Sequence, residues 1–149
     1  MDWGTLLVST TPGLVDLALV IVRACIGVCF IVHALGKLGL VGPAGPDAMK
    51  GFAEWLASEG VPFAAIQARV AMLSELLGGA ALVAGLFTRP ACLLLIATMI
   101  VAGKVGHRGA GYLITNDPPG AEYTINLGVI CLMILLIGPG GFSLDRLIF

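Results

Sequence analysis

The chain has 149 residues, of which 58% are hydrophobic and only 11% are charged, with a formal net charge of −1 and a mean hydropathy of +1.03. A soluble domain typically carries about 25% charged residues, so this chain has too few charges to cover a water-exposed surface. The composition excludes a soluble catalytic role and predicts an integral membrane protein, with lipid as a partner and no nucleic acid.

Four apolar segments are long enough, or nearly so, to cross the membrane: 14–35, 66–86, 91–105 and 123–137. A helix needs about 20 residues to span a hydrocarbon core of about 30 Å, and in lipid every backbone polar group must find an internal partner. The segments therefore predict an all-α fold, an integral membrane four-helix bundle that forms a single domain over residues 1–149. The tight connection at 87–90 predicts that the second and third helices form an antiparallel hairpin.

The first segment predicts a retained helix rather than a cleaved signal peptide. It carries Asp2, Asp16 and Arg23, so its start is acidic, and no clear cleavage site follows it. A signal peptide instead begins with a basic region and ends at a small-residue cleavage site.

The long connection at 36–65 predicts a further, shorter helix at about 47–59. Asp47 suits an N-cap and Gly60 a helix stop, and apolar residues recur between them at helical spacing. About 13 residues cannot span a bilayer, so we expect an amphipathic helix in the interface, with Trp55 at headgroup depth. The same pattern also suits a helix that caps the bundle or one that docks a partner.

The four spans also predict which residues share a membrane face. Both ends of the chain lie on one face, here called side A, and the connections after the first and third spans lie on the other, side B. Basic residues on side B are Lys37, Lys50, Arg69, Lys104 and Arg108, whereas side A has Arg89 and Arg146. Because cytoplasmic connections carry an excess of Lys and Arg, the count predicts that side B faces the cytoplasm.

Two charged residues lie deep inside predicted spans. Arg23 is nine residues into the first span from side A, and Glu75 is nine residues into the second from side B. At 1.5 Å per residue each lies about 13–14 Å deep, so antiparallel neighbours would bring them together near the midplane as an intramembrane ion pair. Such a pair can fix helix register or mark a substrate or proton path, and the sequence supports both.

Polar residues from all four spans are predicted to gather at side B. The candidate ligand-binding residues of this polar mouth are His33, Lys37, Arg69, Lys104, His107, Arg108, Glu122, Tyr123 and Asn126. Taken singly, each could reach the headgroups as an ordinary snorkelling side chain. Together they suit an anionic or carbonyl-bearing ligand, and the two histidines could exchange protons near neutral pH.

The cysteines and histidines give no prediction of a metal site. Cys25, Cys29, Cys92 and Cys131 lie in apolar runs without a CxxC motif, so neither a zinc site nor a thioredoxin-type site is indicated. Buried thiols acting as small hydrophobic side chains are expected, with a redox pair at Cys25 and Cys29 as the alternative. Haem ligation by His33 and His107 is disfavoured because both lie near helix ends.

An ordered set of segments resembles the DoxX family of small bacterial membrane proteins. They are VRACIGVCFIVHALGKL, GFAEWLASEGVP, SELLGGAALVAGLFTRPA and EYTINLGVICLMILLIGPGGFSLDRL. The resemblance as a whole runs from about Leu17 to Leu147. The family often has a glycine after the histidine of the first segment, whereas Ala34 follows His33 here, with Gly36 two positions later.

The resemblance implies a four-helix bundle in the bacterial inner membrane and an association with redox metabolism. Members of the family include a subunit of an archaeal thiosulfate:quinone oxidoreductase, and others are linked to sulfur handling and oxidative-stress resistance. The family's recurrent polar positions correspond to Arg23, His33, Lys37, Glu75, His107 and Glu122. No catalytic residue is implied, because no mechanism is settled for the family.

These observations favour a redox-associated subunit that interacts with quinone or with a membrane oxidoreductase partner. No metal or flavin motif is visible, so a partner protein or a thiol substrate would supply the electrons, and the chain is not expected to be a self-sufficient enzyme. Quinone is the candidate cofactor, and other membrane or membrane-associated subunits are the expected partners. The alternative is a non-catalytic accessory subunit that anchors a larger complex; anion transport is disfavoured because four helices leave little room for a pathway.

Overall fold

A computed structural model describes residues 11–149, and within this range the chain forms helices, turns and loops but no strand. The α-helices are α1 (Pro12–Lys37), α2 (Ala48–Ser58), α3 (Ala64–Ala84), α4 (Thr88–Gly106), α5 (Glu122–Ile137) and α6 (Leu144–Ile148), with a 3₁₀ turn at Gly45–Asp47. By length and apolar composition α1, α3 and α4 can cross a membrane, and α5 is a shorter apolar helix of 16 residues. The predicted all-α membrane architecture is confirmed. Asp2, used above in the signal-peptide argument, lies outside the described residues.

The helix ends follow from the local sequence. Pro12 opens α1, at a position where its missing N–H removes no helical hydrogen bond. Gly85 ends α3 with a φ of 64°, a left-handed conformation that costs a glycine little. Only residues 85–87 separate α3 from α4, so these two helices form the predicted antiparallel hairpin.

Two glycines, Gly27 and Gly79, allow α1 and α3 to approach closely. A Cβ added at Gly27 would lie 2.6 Å from the carbonyl oxygen of Gly79, and a Cβ added at Gly79 would lie 2.6 Å from that of Gly27. Small residues allow this separation, as they do in many membrane helix pairs. The contact sets the register of the pair: because the helices are antiparallel, Arg23 lies level with Val83, and Glu75 lies level with Ile31.

The core of the bundle is small and apolar. Eight buried residues form it: Phe30, Leu82, Cys92, Leu95, Met99, Leu127, Cys131 and Ile134. In contrast, only 22–39% of the most apolar 18-residue stretch in each of α1, α3 and α4 is buried. Large side chains such as Leu17 and Ile21 are about half exposed on the outer surface of α1, as expected where lipid replaces water.

The four cysteines are free and divide into two pairs. Cys92 and Cys131 are fully buried in the core, which confirms the expectation of small hydrophobic side chains for these two. Cys29 is partly buried and packs against the core, whereas Cys25 is exposed, so the expectation of burial is wrong for Cys25.

The predicted short helix forms as α2 and packs on α3 at side B. Leu56 is buried, while Phe52 stacks on Trp55 with ring centroids 5.9 Å apart. Asp47 occupies the N-cap position, although its side chain makes no capping hydrogen bond. The helix therefore covers one end of the bundle, and Trp55 remains 39% exposed.

Candidate functional site

The predicted ion pair between Arg23 and Glu75 is wrong. Both side chains are buried, at 2% and 4% exposure, but each has other partners. Arg23 donates to two backbone carbonyls at the side A end, and Glu75 pairs with Lys37 toward side B.

The register of α1 and α3 explains this correction. Depth counted from each helix start assumes that both helices begin at a membrane face, but α1 extends well beyond the α3–α4 turn. Arg23 is level with Val83, eight residues along α1 from the level of Glu75, which corresponds to about 12 Å. In addition, helical side chains lean toward their own N-terminus, so these two side chains lean in opposite directions.

Arg23 holds the C-terminal segment, residues 138–149, against the α3–α4 turn. Its Nη2 donates to the carbonyl of Phe142 at 2.6 Å, and its Nη1 lies 3.4 Å from the carbonyl of Leu82. A Cβ at Gly85 would overlap the guanidinium group, so the turn requires a glycine here. Arg23 thus has a structural role at side A.

Asp145 completes this contact from α6. Its carboxylate accepts the backbone amides of Phe87 at 2.6 Å and Thr88 at 2.9 Å, at the start of α4. Burial raises the pKa of Asp145, but these hydrogen bonds and the charge of Arg23 outweigh burial, so the pKa lies below its ordinary value. The negative charge of the carboxylate also stabilises the N-terminus of α4, which carries a partial positive charge.

A buried ion pair at side B brings α1 and α3 together. Lys37 Nζ lies 2.5 Å from Glu75 Oε2, and the side chains are 18% and 6% exposed. Lys37 also lies 5.3 Å from the ring centroid of Phe52 on α2, which adds a cation–π contact. Both members come from the residues singled out in the sequence, although the pairing was not predicted.

This pair faces a cavity of about 460 Å³ between α2, α3 and α4, here called the side-B cavity. Its walls are mostly apolar and include Phe52 and Trp55. The polar side chains that line it are Lys37, Gln67, Ser74, Glu75, Thr98 and His107. A mostly apolar pocket with a few polar groups is the usual form of a small-molecule site.

His107 contributes a titratable ring to the side-B cavity. Its Nδ1 lies 2.7 Å from the carbonyl oxygen of Pro119. Because a carbonyl can only accept, Nδ1 carries the proton, and in the neutral ring Nε2 is left as an acceptor. Nε2 can therefore accept a hydrogen bond from a ligand.

His33 belongs to a second polar group, which lies between α1 and α5. Its ring stacks on Tyr123 of α5 with centroids 5.5 Å apart, and its Nδ1 donates to the carbonyl of Cys29 at 2.8 Å. The Cys29 thiol and the Tyr123 hydroxyl are 2.6 Å apart. Cys29, His33 and Lys37 recur every four residues along α1, so this face connects the second group to the buried ion pair.

The other predicted members of the polar mouth do not join the side-B cavity. Arg69 donates to Ala65 on its own helix, and Glu122 accepts the amide of Ile114 in the loop before α5. Lys104, Arg108 and Asn126 are exposed. Within residues 11–149 no group of three or more His, Cys, Asp or Glu side chains is arranged to hold a metal ion.

The sequence did not predict that Phe52 and Trp55 line the side-B cavity or that the Cys29 thiol lies beside Tyr123. Trp55 is predicted on the short helix, but the direction in which this helix faces depends on its packing against α3. Cys29 could have been found, because its four-residue spacing from His33 and Lys37 puts all three on one helix face.

Comparison with known proteins identifies the family. The DoxX profile matches residues 18–108, which is more than half of the chain. The chain is 28% identical over 133 residues to the inner membrane protein YphA of Escherichia coli K12, covering 86% of this chain and 88% of that protein. No solved structure matches. The protein is a multi-pass protein of the bacterial inner membrane, and it belongs to the DoxX family.

Proposed function

We propose that this protein is a redox-associated membrane subunit that binds a quinone in the side-B cavity. The observation that carries the proposal is the Lys37–Glu75 pair, a buried donor and acceptor placed against a mostly apolar cavity of about 460 Å³. Pockets that bind small molecules span about 300–1,000 Å³, so the cavity can hold a quinone ring.

The chemistry of the lining suits both forms of a quinone. The carbonyl oxygens of the oxidised ring are acceptors and match the Lys37 ammonium, which is a donor only. The hydroxyl groups of the reduced ring are donors and match Glu75 and the Nε2 atom of His107. The rings of Phe52 and Trp55 offer flat apolar surface for stacking.

Reduction of a quinone to a quinol takes up two electrons and two protons. Glu75 and His107 are groups that can hold and pass protons next to the ring. The electrons come from a reduced partner protein or from a thiol substrate that is oxidised as the quinone is reduced. The protein accordingly acts as a subunit in our proposal, with a membrane oxidoreductase as its partner.

The test is a binding titration of purified protein in detergent with a short-tailed benzoquinone. Quenching of Trp55 fluorescence, in a Trp3→Phe background, reports occupancy of the side-B cavity. We expect saturable quenching, with affinity at least ten-fold weaker in Glu75→Gln. The matched control is Glu54→Gln, which removes a carboxylate that is 69% exposed on α2 and should leave the affinity unchanged.

A second variant separates binding from folding. Replacing both members of the ion pair, as Lys37→Met with Glu75→Leu, leaves no buried charge without a partner, and such replacements are often tolerated. We expect this double variant to fold and to lose quinone binding. Equal, non-saturable quenching in all variants would mean that quinone only partitions into the micelle, and would favour the accessory-subunit alternative.

A further inference from the structure

A second concave surface lies on the lipid-facing side of α4 and α5, away from the side-B cavity. This α4–α5 groove has a volume of about 420 Å³. Its apolar walls are Ile96, Met99, Ile100, Ile125, Val129 and Leu132. Glycines at 103 and 128 line it as well, together with Ala121 and Thr124.

The length of the groove along α5 is close to the thickness of one membrane leaflet. From Ala121, the N-cap of α5, it extends to Leu132, a rise of eleven residues or about 16 Å. One leaflet of a hydrocarbon core of about 30 Å is about 15 Å thick. An acyl chain that enters at side B therefore matches the length of the groove.

The side B end of the groove is basic. Lys104 lines it from the last turn of α4, is exposed, and forms no salt bridge within the described part of the chain. Arg108 is also exposed, two residues beyond the end of α4. The carboxylate of the nearby Glu122 is turned to the loop, where it accepts the amide of Ile114 at 3.0 Å. The entrance therefore carries one cation, Lys104, and the Glu122 carboxylate is engaged by the loop instead.

We infer that the α4–α5 groove binds an anionic glycerophospholipid, with one acyl chain in the apolar groove and the phosphate at Lys104. The inference combines the leaflet-length apolar surface with charge complementarity at its entrance. A basic residue near an anionic membrane surface strengthens lipid binding by about five-fold, so Lys104 gives a measurable preference for anionic over zwitterionic lipid. This site is independent of quinone binding.

The test compares phosphatidylglycerol with phosphatidylcholine of identical acyl chains, added to the purified full-length protein in detergent. Native mass spectrometry counts bound lipids, and a thermal shift measures the stabilisation. We expect one tightly bound phosphatidylglycerol and a weaker effect of phosphatidylcholine. Lys104→Gln should reduce the preference by about five-fold, whereas Lys50→Gln, at a cation that is 74% exposed on α2, should not.

A groove-filling variant tests the apolar half of the site. A Cβ added at Gly128 would meet its nearest atom, Met99 Cβ, at 3.7 Å, an ordinary contact. Gly128→Leu should therefore fold, occupy the groove and abolish binding of both lipids. Lipid binding that is the same in wild type, Lys104→Gln and Gly128→Leu would overturn the inference. Dimers or captured helices that exclude lipid from the groove would overturn it too, by showing that protein is the occupant.

Discussion

Arg23→Met is the substitution that best tests the assignment of the two buried charges. Methionine keeps much of the length and apolar volume of arginine but removes the donor to Phe142 and to Leu82. The structure predicts that the change weakens the docking of the C-terminal segment at side A. It predicts no direct effect on the Lys37–Glu75 pair.

The expected loss follows from the hydrogen-bond geometry. The contact with Phe142, at 2.6 Å from a charged donor, is worth about 1.5–3 kcal/mol, whereas the contact with Leu82, at 3.4 Å, is too long to add much. Removing the cation also relieves part of the cost of burying it. We therefore expect Arg23→Met to lower the free energy of unfolding by about 2 kcal/mol.

The assay is equilibrium unfolding in mixed micelles, analysed as two double-mutant cycles. Arg23→Met should couple with Asp145→Asn by about 0.5–1 kcal/mol, because both changes act on the same docked segment. It should be additive with Glu75→Gln within about 0.5 kcal/mol. Limited proteolysis should cut residues 138–149 sooner in Arg23→Met. Coupling of Arg23 with Glu75 but not with Asp145 would refute the reasoning and restore the predicted ion pair.

Three further tests address the buried ion pair, the glycine contact and Asp145. Lys37→Met and Glu75→Gln should each destabilise the protein by about 3 kcal/mol or more in the same unfolding assay. The double replacement Lys37→Met with Glu75→Leu should recover most of this loss, and equal losses in the single and double variants would contradict the pairing. Gly79→Ala should lower the melting temperature, because the new Cβ meets the Gly27 carbonyl. Gly51→Ala should raise the melting temperature, because a Cβ there meets nothing within 4 Å and alanine favours a helix over glycine. Equal shifts in the two variants would argue against the close contact between α1 and α3. The pKa of Asp145 is depressed in the folded state, so the carboxylate stabilises the fold fully at pH values above the ordinary carboxyl pKa of about 3.9, and this stabilisation is lost as the pH falls below that value. Melting temperatures measured over a pH series should therefore decline in acid, and the decline should be smaller in Asp145→Asn. Parallel curves for the two proteins would contradict this.

The helices could be predicted from the sequence, because in lipid an apolar run of sufficient length has few alternatives to a helix. Residues 66–86 and 91–105, for example, lie close to the observed Ala64–Ala84 and Thr88–Gly106. The short helix at side B was also predicted, since Asp47 and Gly60 bound its amphipathic pattern.

The pairing of the charges could not be predicted in the same way. Hydropathy gives the approximate depth of a residue but neither the offset between neighbouring helices nor the direction of a side chain. The offset of α1 and α3 is set by Gly27 and Gly79, whose contact depends on backbone approach rather than on pattern. The same limit applies to Asp145, which lies far along the chain from the α4 amides that it accepts.

Photolabelling would show directly whether quinone binds in the side-B cavity. The purified protein would be illuminated with an azido-benzoquinone, digested, and analysed by mass spectrometry. We predict adducts on the aromatic wall of α2 or on the facing residues of α3, such as Trp55 or Val70, which excess unlabelled quinone prevents. Adducts confined to the α4–α5 groove, or labelling that unlabelled quinone does not reduce, would contradict the claim.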